Sequence, residues 1–124
     1  MILLLDYSGD IPIYLQIRNQ IVVGIASGAL SPGEKLPTIR ALALELGINM
    51  MTVSKAYQML RQEGYIESSR GTGAWVALKP NEAAALEKLE ISLKLIVAEA
   101  RVAGVGLDTI TTLCRKLYQE GDLS

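Results

Sequence analysis

The sequence predicts a mainly helical chain with one small β wing, and three observations carry that prediction. Leu36 to Leu60 reads as two short helices on either side of a three-residue turn, Gly47-Ile-Asn49. Tyr65–Ser69 and Ala74–Leu78 follow directly as two short strands around the glycine-bearing turn Arg70–Gly73. Beyond Lys79-Pro80, the stretch Glu82 to Ala103 contains neither Gly nor Pro. The expected organisation is a winged helix-turn-helix over residues 1–79 and an all-helical tail over 80–124.

The elements follow in order. Ile2–Leu5 is an apolar run with β character that either pairs along an edge or packs on a neighbouring helix. Pro12 suits the first turn of a helix, where its missing N–H costs nothing. Ile13, Ile17, Ile21 and Ile25 then recur every fourth residue, with Val22 beside them, as one buried face. Gly28 reads as a C-cap and Ser31-Pro-Gly33 as a turn. Lys35-Leu36 could add a residue or two to a small sheet. Thr38 is a good N-cap, and Ile39, Leu42, Ala43 and Leu46 form the inner face of the second helix. Asn49 can cap the third, whose inner face is Val53, Ala56, Tyr57 and Leu60. Met51, Thr52, Ser54, Lys55, Gln58 and Arg61 stay outside, and Gly64 ends that helix. Asn81 can cap the long helix, which at 1.5 Å per residue would extend about 33 Å. After Gly104-Val-Gly106, Asp108 caps a last helix carrying Ile110, Leu113, Cys114 and Leu117.

Composition removes whole classes of function. The chain has 124 residues, half of them apolar and a fifth charged, with a single cysteine and no histidine. Disulfide frameworks, histidine acid–base chemistry and most zinc sites are excluded by inventory. No nucleophile stands with a base, and Gly71-x-Gly73 alone is too weak to be a phosphate-binding loop. An enzyme is not expected, nor a metal or cofactor. Cys114, in an apolar helical pattern, is expected to be a buried or half-buried structural thiol. No stretch approaches the roughly 18 uninterrupted apolar residues of a membrane span. Met1–Leu5 lacks a basic flank and runs into Asp6 and Asp10, so it does not read as a signal peptide. A cytoplasmic protein is expected.

The charge pattern is weak. Net charge is −1, and residues 1–79 carry seven basic against six acidic side chains, while 80–124 carry five against seven. Phosphate neutralisation drives most non-specific DNA binding, so a single copy should bind poorly. A dimer would double the contacts.

Two helices at helix-turn-helix spacing let the second enter a major groove while the first crosses the backbone. The exposed face of the third helix carries short polar side chains and one lysine, which suit bases and phosphates better than bulk solvent. Arg70 puts a cation at a hairpin tip whose glycines permit close backbone approach. Two other readings compete. One is a helical hairpin buried for its own sake. The other is a winged helix that binds protein and has no DNA role, which the near-neutral charge favours.

Four separated segments then fall in order: Pro12-Ile-Tyr-Leu-Gln-Ile, Gly28-x-Leu30-x-Pro-Gly-x-Lys-Leu-Pro-Thr-x-Arg40-x-Leu-Ala-x-x-Leu-Gly47, Thr52-Val-x-x-Ala-Tyr-x-x-Leu60-x-x-Glu-Gly64, and Gly71-x-Gly-x-x-Val76. From about Ile11 to Leu78 the chain resembles the GntR family of bacterial transcription regulators. Its short two-helix tail, with Asn49 and Ala56-Tyr57, is similar to the YtrA-type subfamily. The resemblance implies a homodimeric winged helix on a palindromic operator, usually as a repressor. It implies DNA contacts from Arg40, the third-helix residues at 49 to 55 and the wing at Arg70 to Gly73. The candidate DNA-binding residues are Lys35, Thr38, Arg40, Asn49, Met50, Met51, Thr52, Ser54, Lys55, Tyr57, Arg70, Gly71, Thr72 and Gly73. Three positions depart from the pattern. Met50 stands where relatives carry a polar or cationic residue or a proline, Ser54 where arginine is frequent, and Trp75 where phenylalanine is usual. The two methionines could touch thymine methyls, or one could pack against the second helix.

In the tail, Leu86, Leu89, Leu93, Ile96 and Ala100 step by 3, 4, 3, 4, a heptad-like seam. Ile91, Leu95, Ala98 and Val102 form a second stripe. The last helix alone cannot cover both, so the seam is the candidate dimer interface, the alternative being a helical hairpin packed on its own winged domain. About 45 residues remain after the wing, too few for a substantial pocket of their own. A small-molecule effector, if there is one, would bind at the dimer interface or the domain junction.

Overall fold

The computed structural model describes Met1 and residues 3–120; Ile2, the start of the apolar N-terminal run, lies outside the described residues, as do 121–124. The chain divides into two compact units, Met1–Pro80 and Asn81–Ser124. The first holds α1 (Ile13–Ala26), α2 (Ile39–Leu46), α3 (Met50–Gln62) and the strands β1 (Ile66–Ser69) and β2 (Gly73–Val76). The second holds α4 (Glu82–Val102) and α5 (Leu107–Glu120).

In the first unit α1 and α2 both pack on α3, and the hairpin follows α3 directly. The core takes Ile17 and Ile21 from α1, Leu42 and Ala43 from α2, and Val53, Ala56, Tyr57 and Leu60 from α3. Leu30 and Leu36 close it from the loops, and Ile66, Ala74 and Val76 from the hairpin. Burying each large aliphatic side chain there contributes roughly 1.5–3 kcal/mol before entropy is set against it. Arg18 on α1 clamps the far end of α3: its guanidinium donates to both carboxylate oxygens of Glu63 at 3.0 and 2.6 Å and lies 5.5 Å above the Tyr65 ring.

β1 and β2 are antiparallel, with Ile66 opposite Val76 and Ser69 opposite Gly73. Lys35 adds a bridge to Trp75 on the other side of β2, flanked by bonds from Leu36 N–H to Ala74 O and from Val76 N–H to Glu34 O, both 2.9 Å. Both strands are shorter than the sequence suggests. Tyr65 spends its N–H on the end of α3, donating to Leu60 O, and past the Ala77 N–H bond to Tyr65 O the pairing stops.

Pro12 stands one position earlier than expected, as the N-cap of α1 with an extended ψ of 146°. Its carbonyl still accepts the first helical N–H groups, from Leu15 and Gln16 at 3.1 Å. Among the described residues of the apolar N-terminal run, Leu3–Leu5 form no strand. Two glutamines one turn apart on α1 hold it instead, each treating one residue's backbone as a neighbouring strand would. Gln20 accepts from Leu4 N–H and donates to Leu4 O; Gln16 does the same with Asp6.

In the second unit the Asn81 side chain accepts from Ala84 N–H at 3.1 Å and starts α4. The helix ends at Val102, where Gly104 N–H donates to Arg101 O and Val105 N–H to Ala100 O, a paired closing motif that satisfies the last carbonyls. Asp108 is not a cap. α5 begins at Leu107, which puts the carboxylate inside the first turn, a position the helix dipole favours. No residue of α4 is buried. Cys114, expected to be at least half-buried, is exposed, because the apolar side of α5 is itself open: Leu113 and Leu117 are 51% and 41% exposed. Among the described residues no helix is long and apolar enough to cross a membrane.

Candidate nucleic-acid interface

The α2–turn–α3 unit is held by caps at each joint. Thr38 Oγ1 accepts from Ala41 N–H at 3.0 Å to start α2. Gly47 turns the chain out at φ 67°, a left-handed conformation that costs a side-chain-bearing residue about a kilocalorie or more. Ile48 N–H then donates to Ala43 O at 3.0 Å, and Asn49 Oδ1 accepts from Met51 N–H at 2.7 Å to start α3. Three residues between two capped helices leave little freedom in their crossing.

The four inner positions of α3 are all buried, and Met51, Ser54, Lys55, Gln58 and Arg61 face out. Tyr57 is one of the inner four. Its hydroxyl donates to Pro37 O at 2.7 Å, and burial pushes its pKa well above the ordinary value of 10.0. Its ring is core, and its polar end fixes the segment that enters α2.

At the wing Gly73 has φ 86° and lies 3.6 Å, from an ideal Cβ position, to Lys35 Cε, so the lysine stem runs alongside the hairpin turn. Ser69 and Thr72 hydroxyls bond each other across the turn. Trp75 donates its indole N–H to Glu67 at 2.9 Å, which occupies the one carboxylate of the hairpin.

Two grooves flank the outer face of α3. The first, about 380 Å³, lies between the start of α2, α3 and the wing. Thr38, Ser54, Tyr57, Arg70 and Gly73 line it, together with Arg61, Ser68 and Ser69. It contains two guanidinium groups and no carboxylate. The second groove runs between α1 and α3, lined by Tyr14, Met51, Thr52, Ser54, Lys55 and Gln58. In it the Lys55 ammonium sits 4.0 Å above the centre of the Tyr14 ring. Ser54 belongs to both grooves. Arg40, Asn49, Met50, Gly71 and Thr72 line neither; all five are exposed, Arg40 in the first turn of α2 and the glycine-threonine pair at the wing tip. Neither methionine packs inside: Met50 is 46% and Met51 78% exposed.

Sequence reading passed over Arg61 and Tyr14. Arg61 stands seven residues after Ser54, two turns along the same face, and its guanidinium donates to Ser68 Oγ at 2.8 Å; that spacing was available as a signal. Tyr14 gives no such signal, because its place beside Lys55 depends on how α1 crosses α3.

Among the described residues no group of acidic, cysteine or histidine side chains could hold a metal ion. The arrangement is one for binding an extended anion: cations at the edges, hydroxyls and methionine along the helix between them.

A family profile described as "Bacterial regulatory proteins, gntR family" matches residues 13–76. The HTH-type transcriptional repressor YtrA of Bacillus subtilis is 36% identical over 109 residues, covering 86% of this chain and 84% of the relative. A transcriptional antiterminator from Listeria monocytogenes EGD-e has a similar structure, with TM-score 0.85 at 29% identity over 98% of this chain and 92% of that one. YtrA from Sulfolobus acidocaldarius, a GntR-family transcription factor, gives 0.70 at 38% identity over 82% and 99%. The DNA-binding domain of AraR in complex with operator ORX1 gives 0.55 at 30% identity over 60% and 96%.

Proposed function

The chain belongs to the GntR family of bacterial regulatory proteins and is a DNA-binding transcription regulator, and we propose that it works as a cytoplasmic homodimeric repressor on a palindromic operator. The observation that carries the reading is the wing-side groove, where Arg61 and Arg70 face the outer side of a capped helix-turn-helix with no carboxylate between them.

In this reading α3 lies in the major groove. Thr52 and Ser54 hydrogen-bond to bases, Arg40 and Lys55 hold phosphates or bases, and the wing from Arg70 to Gly73 reaches the adjacent minor groove or backbone. Thr38 and Tyr57 act behind them by fixing the start of α2. Residues 1–79 are the reading domain and 80–124 the pairing region, with Leu86, Leu89, Leu93, Ile96 and Ala100 against a second copy. Two reading helices on one dimer axis address half-sites about 34–36 Å apart. The repressor named YtrA, at 36% identity over most of both chains, supports the sign of the regulation.

The test is the salt dependence of binding to operator duplex. Each phosphate held by a cation contributes close to one unit of slope in log affinity against log salt. A steep negative slope in the full chain, reduced by about one unit per half-site in Arg70→Ala, is the expected result. A flat slope would leave a winged helix that binds something other than DNA.

A further inference from the structure

We infer that Met51 reads the C5-methyl group of a thymine in the operator, so that the second residue of α3 recognises a base by apolar contact, beside the hydrogen-bonding Thr52 and Ser54. The inference rests on the DNA-reading role of α3 proposed above.

Met51 is the second residue of α3 and 78% exposed. It shares one groove with Thr52, Ser54, Lys55 and Gln58, so it lies on the strip that a major-groove helix turns toward base edges. Two of its polar neighbours are engaged elsewhere. Asn49 Oδ1 is already spent on the Met51 backbone N–H at 2.7 Å. The Lys55 ammonium rests on the Tyr14 ring at 4.0 Å, an attraction that draws it to the α1 side of the groove. A thioether offers only a weak acceptor, so it cannot read the donors and acceptors that distinguish most base pairs. What it offers is a long, polarisable, adaptable apolar surface. The major-groove edges of the four base pairs present one apolar group among them, the thymine methyl. Entry of α3 into the groove therefore leaves Met51 two outcomes: contact with that methyl, or desolvation against polar edges that it cannot satisfy.

The contact has a direct chemical probe, because deoxyuridine differs from thymidine at that methyl alone and pairs in the same way. Full-length protein is titrated against a duplex recovered by selection from a random pool, with each thymine of the half-site replaced in turn by deoxyuridine. Removing one buried methyl should weaken binding roughly fourfold. One thymine per half-site should show that loss. Met51→Ala, at an exposed position that the core does not use, should show a similar loss on the thymine duplex and become indifferent to deoxyuridine at that position. Met50→Ala should keep the discrimination. The inference is overturned if every thymine tolerates replacement, if the selected half-site contains none, or if discrimination survives Met51→Ala. Failure to recover any enriched duplex would overturn the DNA reading itself, and this inference with it.

Discussion

The two units of this chain use apolar residues in opposite ways. In Met1–Pro80 the apolar positions close on one another, and thirteen of the described residues form a single buried cluster. In Asn81–Ser124 the same residue types at equally regular spacing stay open: Leu86, Leu89, Leu93 and Ile96 are 65, 55, 48 and 50% exposed. A helix gains stability mainly from the surface that it buries, and two helices without a buried face are marginal alone. Contiguous exposed apolar surface marks an interaction site. The winged unit carries its own reason to fold, whereas the tail takes its reason from a second copy in the proposed dimer.

Deletion breaks the comparison hardest. A chain ending at Lys79 should fold, remain monomeric in sedimentation, and lose about 100-fold or more of operator affinity, since linked half-sites bind with that order of advantage. A dimeric product would put the interface in the winged unit. The next effect separates the units by concentration. Leu60→Ala, in the fully buried core, should cost 2–5 kcal/mol of unfolding free energy at every protein concentration. Leu93→Ala should lower the melting temperature in a way that depends on protein concentration, as coupled folding and association require. Equal, concentration-independent losses would erase the distinction drawn here.

Smaller effects sharpen the picture within the winged unit. Arg40→Ala and Thr52→Ala should each weaken operator binding by about 1–3 kcal/mol at fixed salt, with unfolding midpoints unchanged. Unaltered affinity in both would remove these residues from the interface. Tyr57 makes the last prediction. Its phenol is held neutral by burial, with the folded pKa raised above the unfolded one. Its stabilising contribution is complete below the unfolded value near 10 and is lost as pH climbs above it. Urea midpoints should therefore fall between pH 9 and pH 11, and Tyr57→Phe should flatten that part of the fall while costing about 1 kcal/mol near neutrality through its lost bond to Pro37 O. An identical alkaline decline in the variant would assign the effect to other groups.

The parts of this fold that were legible in sequence are those set by local chemistry. Thr38, Asn49 and Asn81 cap where their short polar side chains can reach the next turn, and the i, i+3, i+4, i+7 spacing on α3 puts Val53, Ala56, Tyr57 and Leu60 inside. What was missed depends on partners distant in sequence. The grip of Gln16 and Gln20 on the N-terminal run, the Arg18–Glu63 clamp and the Tyr14–Lys55 contact each join elements that only tertiary packing brings together. Tyr57 carries two signals. Periodicity puts it in the core and it also stands among the candidate DNA contacts; it is buried, with its hydroxyl on Pro37 O, and it borders the wing-side groove. Cys114 was misread. Its helical pattern was real, but an apolar stripe is buried only where something covers it, and among the described residues Cys114 is exposed.

Selection of bound sequences from a random duplex pool, using the intact chain, tests the central claim most directly, because it reports the reading helix and the pairing together. An inverted repeat whose half-sites are centred about one helical turn apart is the predicted result. Recovery of a single unrepeated half-site would contradict pairing through the tail, and a pool without enrichment would contradict sequence-specific reading by α3.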